Sequence, residues 1–316
     1  MTTTTAPTAP KVKTRAGDRW FSGTALAAGS MILVTLAAVA IFLIVQSIPG
    51  LSATGETASI LSSADNFWAY VGPLAFGTIW ASILALVMAV PLAIAVALFI
   101  SHYAPRRLAQ GLGYVVDLLA AVPSVVFGLW GILVLAPAVQ PVYAWLNTYM
   151  GWFPLFGGTV SSTGRTIFTA AIVLAVMVVP IITAICREIF LQTPVLHEEA
   201  ALALGATRWE MVRMAVFPFA RSGIVSASML GLGRALGETM AVAMVLSISG
   251  RITFQLFTSE NPGTIPANIA LSFPEAYGLN INVLIATGLI LFIVTFAVNA
   301  GARWIVNRRK EFSGAN

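Results

Sequence analysis

Thr166-Ile-Phe-Thr-Ala-Ala-Ile-Val-Leu-Ala-Val-Met-Val-Val-Pro-Ile-Ile-Thr-Ala-Ile-Cys186 runs without one charged side chain. A helix crossing a hydrocarbon core about 30 Å thick needs roughly 20 predominantly apolar residues, and this run supplies them. It is too long and too uniformly apolar for a barrel strand, and an open sheet edge cannot face lipid. It therefore reads as a membrane-spanning helix. Five other runs read the same way, so the fold class is all-α integral membrane, multi-pass, with spans near 24–48, 71–101, 114–139, 166–188, 222–249 and 281–306. The first exceeds the apolar core of a cleaved signal peptide and reads as a retained span.

Composition agrees. The 316 residues are 58% hydrophobic and 9% charged, against about 25% charged in a soluble domain. Beside six spans no sizeable aqueous domain fits. A net charge of +5 raises nucleic acid as a partner, but the basic residues sit in short clusters between apolar stretches, where orientation in the bilayer is their better use. Lys11, Lys13, Arg15, Arg19, Arg106, Arg107, Arg187, Arg208, Arg213, Arg221, Arg303, Arg308, Arg309 and Lys310 fall in the tails and alternate loops, while the other loops hold only Arg165 and Arg251. Six spans with both termini in the cytoplasm satisfy this asymmetry, with membrane lipid as the surroundings and no nucleic acid. Residues 1–22 read as a disordered tail, 23–310 as the transmembrane domain with a cytoplasmic loop over 189–221, and 311–316 as a C-terminal tail.

Several chemistries are excluded. Cys186 is the single cysteine, so neither a disulfide nor a cysteine-based metal site forms, and no metal or other cofactor is expected. A P-loop needs Gly-Lys followed by Ser or Thr, yet Lys11, Lys13 and Lys310 are the only lysines and none follows glycine. His102 and His197 accompany no Gly-x-Ser-x-Gly and read as solvated surface residues, and Asp117 reads as an interfacial cap or loop charge. The chain is not expected to be an enzyme, and no residue is assigned a catalytic role. Pro91, Pro123, Pro137 and Pro180 within spans suggest a bundle packed around a pathway. Trp145, Tyr149, Trp152 and Phe153 in an outward loop suit an interfacial aromatic belt or a docking surface.

The loop over 189–221 carries its own pattern. In His197-Glu-Glu-Ala-Ala-Leu-Ala-Leu-Gly-Ala-Thr-Arg-Trp-Glu210, Ala200, Ala203 and Leu204 share one helical face, Glu198 and Glu199 sit in the first turn, and Gly205 can stop the helix with a positive φ. Thr207 and Glu210 have the spacing of a capping box opening a second short helix, which Pro218 closes. Such a pair either lies on the inner leaflet or forms a rigid knob that another subunit grips.

Within the fifth span, Gly231-Leu-Gly-Arg-Ala-Leu-Gly-Glu-Thr-Met-Ala-Val242 places Arg234 and Glu238 four apart, one turn above the other on a continuous helix. Burying such a charge costs roughly 2.5–3.5 kcal/mol on insertion scales. Either the two neutralise each other beside a Gly233-x-x-x-Gly237 packing motif, or the Arg234 guanidinium faces a cavity and offers a fork of donors to an oxyanion.

Resemblance separates these alternatives. Glu199-Ala200-Ala201 with Gly205 and Pro218 resembles the EAA loop of ABC importer permeases, although the usual Ile-x-Leu before the proline is Ala215-Val216-Phe217. The fifth-span segment, with Ala120-Ala-Val-Pro-Ser-Val-Val-Phe-Gly-Leu-Trp130, resembles the phosphate-specific permeases of PstC type. That resemblance implies the six-helix type I importer permease fold in a bacterial plasma membrane. It implies Glu198, Glu199, Ala200, Ala201, Gly205 and Ala206 as the coupling surface for two ATP-binding subunits. It further implies a PstA-type permease partner in a heterodimer, an extracytoplasmic phosphate-binding protein, and inorganic phosphate as the substrate passing Arg234, Glu238 and Thr239. An ABC permease for molybdate or sulfate is the alternative within the family. A standalone secondary transporter or channel is disfavoured by the coupling loop and the lack of an internal repeat.

Overall fold

An alanine stripe organises the helical packing of this computed structural model, which describes residues 16–61 and 64–310. Ala81, Ala85, Ala89, Ala93 and Ala97 recur every fourth residue on α2 (Phe67–Leu98), and all five are buried against the core. Side chains this small let α2 and α6 (Ile167–Leu191) approach closely, and where apolar lipid gives helices no hydrophobic drive to associate, close packing holds them together. Thr183 of α6 donates its hydroxyl to the Ala93 carbonyl across the contact, 3.4 Å away.

Around this pair run α1 (Ala16–Leu51), α3 (Arg106–Ala120), α4 (Ser124–Trp130), α5 (Ala136–Met150), α7 (Val195–Ala203), α8 (Arg208–Met211), α9 (Phe217–Gly237), α10 (Met240–Val245), α11 (Ile265–Ser272) and α12 (Leu279–Lys310). Among the described residues there is no strand, only two isolated bridges. Among the described residues six helices are long and apolar enough to cross a membrane: Trp20–Leu51, Phe67–Tyr103, Ser124–Met150, Ile167–Leu191, Arg208–Gly237 and Leu279–Trp304. α6 is the central one and α1 the most peripheral. α1 packs chiefly on α12, where Asn282 donates to the Gln46 carbonyl at 2.8 Å, and most of its apolar side chains stay on the surface, as lipid contact requires.

The boundaries depart from the sequence reading in four places. α1 begins at Ala16, inside the stretch read as a tail, while residues 1–15 and 311–316 lie outside the described residues. The third span is not 114–139 but Ser124–Met150. Residues 106–120 form the separate amphipathic α3, and the chain breaks before Pro123, which disfavours helical backbone at the residue preceding it. α3 packs on α6 at Gly113, where a Cβ would meet Arg187 Nη1 at 2.5 Å, and Asp117 lies 3.7 Å from Arg187 Nη2. Its apparent continuity with α4 came from Leu118, Leu119, Ala120 and Ala121, which carry no polar interruption.

The third difference concerns Pro218, which does not close the loop. The backbone continues from α8 through a π-helical turn, Val212–Val216, into α9 with Pro218 in its first turn. A proline lacks the N–H of the i→i−4 ladder and its ring crowds the carbonyl four residues back, and a wider turn relieves both. The same device recurs at Gly131–Leu135, just before Pro137. The fourth difference is the fifth span, read as 222–249, which breaks at Glu238.

Candidate functional site

α9 ends at Gly237, and Glu238, at φ −68° and ψ 128°, has left the helical region. The continuous helix that would stack Arg234 and Glu238 one turn apart is therefore absent, and no ion pair joins them. Glu238 is buried and its Oε1 accepts the Ala241 backbone N–H at 3.1 Å. A carboxylate there satisfies an orphan donor at the start of α10 and complements the positive end of the peptide dipoles. Thr239 donates its hydroxyl to the Gly237 carbonyl at 3.2 Å, the last turn of α9.

Arg234, half-buried, makes no hydrogen bond or ion pair with any described residue. It lines a cavity of about 950 Å³ between α6, α9 and α12, together with Ile181, Ser226, Met229, Asn299 and Arg303. The small residues around it divide by face. A Cβ at Gly231 would strike Val178 and Ile182 of α6 at 2.7 Å, whereas Gly233 and Gly237 have nothing within 4 Å. Among the described residues the Gly233-x-x-x-Gly237 motif therefore packs on no helix and leaves α9 an open, small-residue face.

The two motifs singled out in the third and fifth spans meet in space. A Cβ at Gly128 of α4 would lie 2.9 Å from the Ala241 Cα of α10, and one at Gly131 would lie 2.8 Å from Val245. At the far end of α10, Arg165 donates from Nη2 to the carbonyls of Met244 at 3.3 Å and Leu246 at 3.5 Å, where the helix dipole favours a cation. Glu238 at its start and Arg165 at its end thus hold the short helix after the break.

The loop over 189–221 folds as a knob. Gly205 takes φ +87° and ends α7, and Thr207 with Glu210 forms the full capping box, the Thr207 N–H donating to Glu210 Oε2 at 2.8 Å and the Glu210 N–H to the Thr207 hydroxyl at 3.3 Å. Of the six residues assigned there, Ala201 is buried inward, Glu198 and Ala206 are half-buried, and Glu199, Ala200 and Gly205 face outward. Leu196 and Leu204 stand 76% and 86% exposed beside them, an apolar display that is costly to leave uncovered.

His102 corrects a second reading. His197 is exposed, as expected, but His102 is not a solvated surface residue. Its side chain is 9% accessible, with Nε2 3.3 Å from Glu198 Oε1 and Nδ1 2.7 Å from the Ser101 hydroxyl. With Nε2 donating to the Glu198 carboxylate, the π-helical turn Phe99–Tyr103 that ends the second span is tied to the first turn of α7. Cys186 is fully buried in the core.

Residues 89–311 match the model of the family described as binding-protein-dependent transport system inner membrane component. This chain belongs to that permease family. Within it the permease is 49% identical over 302 residues to phosphate transport system permease protein PstC 2 of Mycobacterium tuberculosis, covering 92% of each chain. It is 46% identical over 307 residues to the PstC permease of Mycobacterium leprae, covering 94% of this chain and 95% of that one. The resemblance to PstC-type permeases carried by the motifs thus extends over nearly the whole sequence. Among solved structures it is similar to a bacterial ABC transporter involved in the import of the acidic polysaccharide alginate, at TM-score 0.58 and 17% identity, covering 92% of this chain and 98% of that chain. At that identity the likeness carries the fold alone, a type I ABC importer permease. Sequence reasoning missed His102, Arg165 and Arg303 as members of these sites. The dipeptide Ser101-His102 just before a cationic pair was the only signal for the first, and the other two counted only as loop charges.

Proposed function

We propose that this chain is the transmembrane subunit of an ATP-driven importer of inorganic phosphate, forming half of the translocation path with a PstA-type permease. The observation that supports it most is a guanidinium, Arg234, with no hydrogen-bond or ion-pair partner among the described residues, at a cavity of a chain 49% identical to a mycobacterial PstC permease over 302 residues. Arg234 lowers the electrostatic barrier for the anion and offers charge-assisted hydrogen bonds from a planar fork, weak enough to release it. Glu238 and Thr239 bend the path around the break in the fifth span and fix where Arg234 points, and the open face at Gly233 and Gly237 accepts the partner permease at close approach.

ATP hydrolysis belongs to two partner subunits, consistent with a chain that has no Gly-Lys pair. These grip the knob at Glu199, Ala200 and Gly205, with the half-buried Glu198 and Ala206 beside them and Ala201 packing inward to hold the helix, and the exposed Leu196 and Leu204 supply apolar anchors. Their closure moves α7, and α6 and α9 carry the motion to the path. An extracytoplasmic phosphate-binding protein delivers the anion on the opposite side, and both termini lie in the cytoplasm of a bacterial plasma membrane, the orientation favoured by the distribution of Lys and Arg.

The test is uptake of labelled phosphate, sulfate and molybdate into vesicles holding the four kinds of subunit. Phosphate-only, ATP-dependent uptake is expected, lost in Arg234→Ala with assembly intact and strongly reduced in Arg234→Lys, whose point charge lacks the fork. Near-normal uptake by Arg234→Ala would sink the role given to that residue, and uptake without ATP would overturn the transport class.

A further inference from the structure

The cavity that Arg234 lines holds a second cation. Arg303 of α12 lines it as well, Asn299 one turn away supplies an amide, and Ser226 of α9 supplies a hydroxyl that here donates to the Ser222 carbonyl at 2.9 Å. No carboxylate is among the lining residues. Glu238, the nearest acid in sequence to Arg234, is buried elsewhere on the Ala241 N–H, and neither arginine has an ion-pair partner among the described residues. Arg234, half-buried, and Arg303, exposed, put two like charges on one cavity, and like charges repel. Among the described residues no acidic side chain compensates the two guanidinium groups. Ser226 and Arg234 are eight residues apart on α9, about 12 Å along the helix, so the cavity is long enough for a station separate from the one at Arg234.

We propose that Arg303, with Asn299 beside it, forms a second binding station for a phosphate-type oxyanion in the cavity between α6, α9 and α12. This rests on the reading of the chain as a phosphate permease. The shared chemistry is a phosphoryl group carrying negative charge, supplied either by free phosphate leaving Arg234 or by the headgroup of an anionic phospholipid. Arg303 contributes the fork of donors and Asn299 a neutral amide donor, which together hold such a group without fixing it permanently.

Ala302 lines the same cavity and has no polar side-chain group, and the native Cys186 is buried. The full complex carrying Ala302→Cys is placed in phosphatidylcholine discs, and modification of residue 302 by a small thiol reagent is timed with and without inorganic phosphate. Phosphate at about nine times its dissociation constant is expected to slow the reaction about tenfold, since only the unoccupied fraction reacts, and Arg303→Gln to remove the protection. In discs containing phosphatidylglycerol and no phosphate, protection that also needs Arg303 assigns the station to a headgroup. The proposal is overturned by labelling that neither anion slows, by protection that survives Arg303→Gln, or by a residue 302 that never reacts. ATP-dependent phosphate uptake by the same Ala302→Cys complex is measured separately. If uptake is present and protection absent, the second station fails while the transport reading stands.

Discussion

The Cβ that alanine would add at Gly128 lies 2.9 Å from the Ala241 Cα, so α4 and α10 touch backbone to backbone with no room for one methyl group. Because the obstructing atom is backbone, no rotamer change relieves the clash. Overpacking of this kind costs about 1–3 kcal/mol. Gly128→Ala should lower the thermal midpoint of the purified permease, and Gly128→Val should lower it further. A Gly128→Val protein that melts with the wild type would mean that α10 does not seat on α4 as described.

Glu238 has a positional task that can be separated from its charge. Its Oε1 holds the Ala241 N–H. Glutamine retains an acceptor oxygen at the same reach, and alanine retains none. Hydrogen bonds to an ionised acceptor are roughly twice as strong as neutral ones. Uptake in vesicles should therefore rank wild type above Glu238→Gln, and Glu238→Gln above Glu238→Ala. Equal rates in wild type and Glu238→Ala would remove the cap from the mechanism.

The legibility of the sequence followed the range of the forces involved. The uncharged run of α6 marked its own helix because bilayer thickness is a local constraint on length. The turn between α7 and α8 was readable, since Gly205, Thr207 and Glu210 act within one turn of one another, while the continuation through Pro218 was not. The break at Glu238 was not, because a spacing of four looks helical whether or not the helix continues, and what bends the chain there is the seating of α10 on Gly128 and Arg165, distant in sequence. The third span slipped by about ten residues because α3 and α4 are both apolar at their junction, where helix boundaries are least certain. Pro123 was the available signal. The cavity shared by Arg234 and Arg303 joins residues from two spans, a juxtaposition that no spacing rule encodes.

The contact of His102 with Glu198 predicts an energetic coupling between the second span and α7. Both side chains are largely shielded, and residues in one hydrogen-bonded network depart from additivity. His102→Ala and Glu198→Ala should each raise the ATP hydrolysed per phosphate imported, and the double variant should raise it no more than the worse single one. Strictly additive effects would mean that the two residues act apart.

Gly205 supplies the sharpest backbone test. At φ +87° it occupies the left-handed region, and it has no neighbour within 4 Å of a prospective Cβ. Any loss on substitution is therefore conformational and not steric. Placing alanine there costs about 1–2 kcal/mol, while asparagine adopts that region more readily. The turn joins two short helices, α7 of nine residues and α8 of four, so little helix propagates against this cost on either side. Gly205→Ala should accordingly loosen the turn between α7 and α8 and reduce the ATPase recovered with the permease on purification several-fold, with Gly205→Asn intermediate, while phosphate-independent folding of the six spans, read by circular dichroism, stays unchanged. If alanine and asparagine recover the ATPase as well as glycine does, the turn geometry does not govern the grip, and the exposed Leu196 and Leu204 carry it instead.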